Sequence, residues 1–150
     1  MTPAWTLRPA IAADLPYLLE LRVATMAPQF ARQGIVLSAD EHRRRAEFRL
    51  DAANIIEVDG QPAGLVKLLQ DGSTWTVEQF QVAASLQGSG IGASVLRAII
   101  ADARAAGALL RLSVLKQNPA AGLYARMGFR TLEESTHSYK MTFIDTVDEL

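Results

Sequence analysis

The hexapeptide Gln87-Gly88-Ser89-Gly90-Ile91-Gly92 decides how this chain is read. It stands between an extended pattern ending near Val82 and a helical pattern, Ala93 to Ala106, that carries Val95, Leu96, Ile99 and Ile100 on one face and stops at Gly107. Glycine at every second position lets the main chain come close to a ligand and turns several N–H groups outward. At a helix N-terminus those amides add to the helix dipole, so the segment reads as an anion site suited to a phosphate or pyrophosphate. The alternative is a flexible connection with no ligand. Two other phosphate motifs fail here. Gly88, Gly90 and Ala93 fit the spacing G-x-G-x-x-A, yet Arg111 and Leu112 stand where a dinucleotide fold needs an acidic ribose contact about 20 residues on. The segment also lacks the Lys-Ser/Thr pair of a P-loop.

Upstream, Trp5 to Arg8 alternates like a short strand, and Asp14 with Leu15, Leu18, Leu19, Leu21 and Val23 opens an amphipathic helix that has Pro16 in its first turn. The pattern breaks between Met26 and Leu37, around Pro28 and Gly34. Ser38-Ala39-Asp40-Glu41 has the capping-box form and predicts a second helix ending near Leu50 or Asp51. Strands over 55–58, 63–69 and 74–82, separated by Asp59-Gly60-Gln61-Pro62 and Asp71-Gly72, read as an antiparallel meander. Downstream, 109–115 is a buried-type strand, Asn118-Pro119 starts a short helix ended by Gly128, and two strands follow at about 129–135 and 138–144. The order β-α-α-β-β-β-α-β-α-β-β predicts an α/β (α+β) fold, a mixed sheet with helices on both faces, and one domain over residues 1–150.

Composition excludes some chemistry. The 150 residues include no cysteine, which removes disulfides, thiolate metal sites and a Cys nucleophile. Fifteen basic residues against 16 acidic ones give a net charge of -1, which argues against a nucleic-acid or anionic-membrane surface and for a small partner. Met1 to Trp5 has no basic flank or apolar run, and a cytoplasmic protein is expected. His42 lies in the run Arg43-Arg44-Arg45, which reads as a solvated helix face, and the two histidines are too far apart in sequence to suggest a metal site. Trp5 and Trp75 read as core or edge packing.

Two segments together resemble a known family, the GCN5-related N-acetyltransferases (GNAT). Gln87, Gly90 and Gly92 match its pyrophosphate loop, Gln/Arg-x-x-Gly-x-Gly/Ala, after the strand segment Phe80-Gln81-Val82. Asn118 through Phe129, with Ala121, Leu123-Tyr124 and Gly128-Phe129, is similar to the family's second conserved segment. The resemblance implies a seven-stranded, mostly antiparallel sheet with about four helices, and acetyl-CoA as co-substrate without a metal. It implies direct transfer of the acetyl group to a primary amine, through a tetrahedral intermediate, in a splay between the fourth and fifth strands. By the same resemblance Gln87, Gly88, Ser89, Gly90, Ile91 and Gly92 hold the pyrophosphate, while Phe80, Gln81 and Val82 hold the pantetheine arm, with Asn118 as helix cap and further contact. The resemblance also implies that Tyr124, unless it only packs in its helix, protonates the departing thiolate, and that Glu78 or a water chain accepts the amine's proton. Met26, Phe30 and His137 are the candidate acceptor contacts, since the family builds that site partly from the loop between its first two helices. A small-molecule amine is the expected acceptor, with a protein or peptide amine, or a non-catalytic acyl-CoA-binding module, as alternatives. Family members are often dimers, which points to a homodimer. Ala83-Ala84-Ser85 and Ser89 depart from the family pattern, where Pro or charged residues and a basic residue are common; these departures bear on coenzyme affinity.

Overall fold

The computed structural model describes residues 2–144. The elements follow in the order β1 (Thr6–Pro9), α1 (Leu15–Arg32), α2 (Ala39–Glu47), β2 (Ala53–Val58), β3 (Gln61–Asp71), β4 (Thr74–Val82), α3 (Ile91–Ala106), β5 (Leu109–Leu115), α4 (Ala120–Met127), β6 (Phe129–Glu134) and β7 (Ser138–Phe143). The strands make one seven-stranded sheet, β1-β2-β3-β4-β5-β7-β6. Pairing is antiparallel between β1 and β2, β2 and β3, β5 and β7, and β6 and β7, and parallel between β4 and β5. The chain forms two compact units, one from its beginning through Leu68 with Glu78–Gly92, the other from Leu69–Val77 and the chain from Ala93 on.

In the first unit the core gathers Leu18 and Leu21 of α1 with Ala53 and Ile55 of β2 and Leu65 of β3, all buried. The start of α1 is fixed by Asp14, whose carboxylate accepts from the Ile11 amide at 2.8 Å and from both terminal nitrogens of Arg8 at 2.9 Å. Those donors stabilise the charged form and hold its pKa below the ordinary carboxylate value, the Arg8 bonds contributing most.

Two expectations are corrected here. The break predicted between Met26 and Leu37 does not occur until Gln33: α1 runs through Pro28 to Arg32. Proline removes one helical N–H bond, at a cost of about 3 kcal/mol, and burial of Phe30 on the face that packs against α2 offsets about 1.5 to 3 kcal/mol of it. Met26–Arg32 is therefore helix, and the connection to α2 is short. Helix α2 in turn stops at Glu47 rather than near Asp51, because Phe48 leaves helical geometry and Arg49 is left-handed at φ 48°. The carbonyls freed there are bonded from β3. The ammonium of Lys67, a fully buried side chain, donates to the carbonyls of Arg45 at 3.2 Å, Ala46 at 3.3 Å and Phe48. A cation at a helix C-terminus meets both the orphan acceptors and the negative end of the dipole.

In the second unit β5 alternates strictly, with Leu110, Leu112 and Val114 buried and Leu109, Arg111 and Ser113 exposed. Helix α3 buries Val95, Leu96, Ile99, Ile100 and Ala103, a spacing of one helical face. Gly128 ends α4 at φ 110°, where a Cβ would lie 2.8 Å from the Phe143 ring. The rings of Tyr124, Phe129 and Phe143 form an edge-to-face series with centroids 5.8 and 5.6 Å apart.

Candidate functional site

The glycine segment forms a tight turn between β4 and α3. Gly88 and Gly90 take φ of 83° and 92°, which side-chain-bearing residues rarely adopt. The Gln87 side-chain amide donates to the Val82 carbonyl at 3.0 Å, tying the loop to the strand end. Ser89 closes the turn: its hydroxyl donates to the Leu86 carbonyl at 2.5 Å and accepts from the Ile91 amide at 3.5 Å. The amides of Gly88 and Gly90 donate to no acceptor among the described residues. Space differs at the two glycines. A Cβ on Gly88 meets nothing within 4 Å, whereas one on Gly90 falls 2.6 Å from the Thr2 hydroxyl. A loop with free amides at the N-terminus of a 16-residue helix can hold an anionic group.

Strand β4 presents the other residues of this half. Glu78 is exposed, Phe80 and Val82 are half-buried, and Gln81 is buried with its side-chain oxygen lacking a partner. Parallel pairing with β5 runs from Thr74–Leu109 to Val77–Leu112, so Glu78–Val82 lie beyond it. Gly64 of β3 faces β4 so closely that a Cβ would collide with the Gln81 carbonyl oxygen.

In the second unit, Asn118 accepts from the Ala120 amide at 3.0 Å and so caps α4, as its place before Pro119 predicts. Gln117 before it is left-handed at φ 69°. Tyr124 is buried on α4, which pushes its phenol up to about 12. His137 lies half-buried in the turn between β6 and β7, its carbonyl accepting from the Lys116 amide at 2.8 Å.

Of the expected acceptor residues, Met26 is half-buried and Phe30 is buried in the second half of α1. Phe30 is the centre of a cluster that the sequence did not reveal. The guanidinium carbons of Arg22 and Arg45 lie 5.9 and 5.4 Å from its ring centroid, and the His42 ring meets it edge-on at 6.5 Å. The solvated-face reading of His42 is thereby overturned. Only Arg43, Arg44 and Arg45 of that run are exposed, while His42 and Ala46, one turn apart, are buried at 5% and 3% exposure. Burial first, then Arg22 and Arg45, lowers the pKa of His42 and favours the neutral ring. Arg22 is 4% exposed, and burial with the nearby Arg45 pulls it down to about 10. Burial likewise brings Lys67 down to about 8, against the opposing pull of Glu78. Gln79 donates to the Arg45 carbonyl at 2.8 Å. Two sequence signals were available: Lys67 interrupts an otherwise apolar run, and Arg22 shares the helical face of Leu18 and Leu21. Among the described residues no group of three or more His, Asp or Glu could hold a metal ion, and no helix is long and apolar enough to cross a membrane.

The sheet order, with β7 between β5 and β6, and a glycine turn joining β4 to α3 define an acetyltransferase-type α/β fold. The acetyltransferase (GNAT) domain family matches residues 26–146, and the chain belongs to that family of acyltransferases. Comparison with curated protein sequences gives no significant match. Among solved structures, the PaiA N-acetyltransferase of Thermoplasma acidophilum, in complex with coenzyme A, is similar with a TM-score of 0.77 and 17% identity, over 95% of this chain and 99% of that one. The ribosomal-protein-S18-alanine N-acetyltransferase of Escherichia coli gives 0.70 and 19%, over 93% of each chain. N-acetylglutamate synthase of Neisseria gonorrhoeae, complexed with coenzyme A and N-acetyl-glutamate, gives 0.66 and 20%, over 97% of this chain and 36% of that one.

Proposed function

We propose that this acetyltransferase takes its acetyl group from acetyl-CoA and delivers it to the primary amine of a small molecule. The observation that carries the reading is the turn at Gln87–Gly92, where Gly88 and Gly90 keep free amides at the start of α3. These residues fit a pyrophosphate: the amides supply donors, the open space where Gly88 lacks a side chain admits close approach, and the dipole of α3 adds to the field. The coenzyme complexes of the PaiA and N-acetylglutamate synthase structures support the same cofactor. Bound there, acetyl-CoA supplies an acyl carbon activated as a thioester.

The remaining steps fall to the chain. Phe80, Gln81 and Val82 offer main-chain groups to the pantetheine arm, Gln87 fixes the loop to the end of that strand, and Asn118 holds the start of α4. Glu78, exposed on β4, accepts the proton that an ammonium acceptor must lose. Tyr124 keeps its proton on the hydroxyl at neutral pH, since burial raises its pKa, and is the donor to a departing thiolate. Met26, Phe30 and His137 are assigned to the acceptor. The near-balanced charge supports a small acceptor over a charged protein surface.

Calorimetry of acetyl-CoA with the native chain and with Gly88→Glu, whose side chain enters the open space beside the free amides, tests this reading. Native binding weakened about 100-fold or more in the variant supports it, because the new carboxylate would occupy an anion's place. No native binding sinks it.

A further inference from the structure

Resting on the acyl-transfer reading above, we infer that the acceptor carries a carboxylate beside its amine, and that Arg22 of α1 receives this group, with Arg45 of α2 assisting from the other guanidinium on the Phe30 ring. Arg22 is 4% exposed, forms no hydrogen bond or ion pair among the described residues, and has an Nε atom sealed from solvent without an acceptor. An isolated guanidinium in such surroundings costs several kcal/mol unless an anion joins it. The neighbouring charges are already matched. Glu41 pairs with Arg44 and with Arg45 at 3.9 Å, Asp51 pairs with Arg49 at 3.0 Å, and Lys67 donates to the end of α2 and feels Glu78. Arg22 is thus the one buried charge in this cluster with no compensation, which matches a monoanion. A carboxylate fits its planar fork through two parallel bonds. Further unpaired groups point to a polar guest in the same cluster: His42 Nδ1 and Gln79 Oε1 are buried without partners. Phe30 lies beneath both guanidinium groups, at 5.9 and 5.4 Å from their carbons, and adds a favourable ring contact to each.

The test is binding, independent of turnover. The standard L-amino acids and β-alanine, each against its own carboxamide, are titrated by calorimetry into native protein, Arg22→Met and Arg45→Gln, with and without coenzyme A. At least one acid binds native protein about tenfold or more tightly than its amide, as a charge-assisted pair requires, and Arg22→Met brings the ratio near unity. An unchanged ratio in Arg22→Met, or no acid preferred over its amide in the native chain, overturns the inference. Should Arg22→Met fail to fold, the exposed Arg45→Gln decides: the ratio falls if the inference holds and stays if it does not. Acetyl-CoA affinity, titrated separately, is unchanged in both variants. Its absence in the native chain would overturn the acyl-transfer reading instead.

Discussion

The Lys67 ammonium on β3 donates to the Ala46 carbonyl of α2 at 3.3 Å, and bonds to Arg45 and Phe48 complete a three-acceptor cap of that helix. A buried cation in the middle of a strand thereby decides where a helix ends. The cap also anchors α2, which carries His42 and Arg45.

Replacing Lys67 by Met leaves the carbonyls of Arg45, Ala46 and Phe48 without their donor, that of Ala46 in a buried place. Urea unfolding at pH 7 is expected to show a loss of about 1 to 3 kcal/mol. The pH dependence has a definite sign. The folded pKa is lowered from 10.5 to about 8, so between those values the unfolded chain binds more protons and native stability rises with pH. The native chain gains on Lys67→Met by roughly 2 to 3 kcal/mol from pH 8 to 10.5, whereas a constant difference would contradict the buried ammonium.

Gly64→Ala places a methyl group against the Gln81 carbonyl oxygen, with the Ile56 side chain and the Val82 Cα each 3.2 Å away. Main chain cannot yield as a side-chain tip does, so β3 and β4 must shift. A destabilisation of about 1 to 3 kcal/mol is expected, together with weaker acetyl-CoA binding, because Gln81 and Val82 are the strand residues assigned to the coenzyme. Thermal unfolding and calorimetry check both effects, and an undisturbed Tm would show that the strands tolerate the approach.

Tyr124→Phe separates chemistry from packing. The Tyr124 hydroxyl has no hydrogen-bond partner among the described residues, so at neutral pH the variant should unfold within about 0.5 kcal/mol of the native chain. Its kcat should fall by about 100-fold with little change in KM if the phenol delivers a proton. Above pH 10 the order of stability changes. The folded pKa of about 12 lies above the unfolded 10.0, so the native chain loses up to about 2 to 3 kcal/mol relative to the variant as pH rises from 10 to 12. An unchanged kcat would leave Tyr124 a packing residue.

Much of the fold was legible because local chemistry and tertiary context agree. Thr74–Val82 and Leu109–Leu115 occupy the expected spans, and Gly107 and Gly128 stop helices with left-handed geometry that glycine accepts without strain. Asn118 caps α4 through a bond between residues two positions apart, and the amides of the glycine turn depend on a short stretch of chain. The segments carrying the family resemblance were therefore open to inspection in one dimension.

The acceptor-side cluster was not. Arg22, His42, Arg45 and Lys67 come from two helices and a strand, and in sequence His42 and Arg45 look like part of an ordinary solvated run. Helix α1 continues past Pro28 because Phe30 gains burial against α2, a gain that no local propensity contains. The order of elements, the glycine turn and the cap of α4 can be read along the chain, since each rests on near neighbours in it. Which charges leave water, and which helix ends they satisfy, follows from packing, because desolvation and long-range hydrogen bonds exist only once distant segments have met.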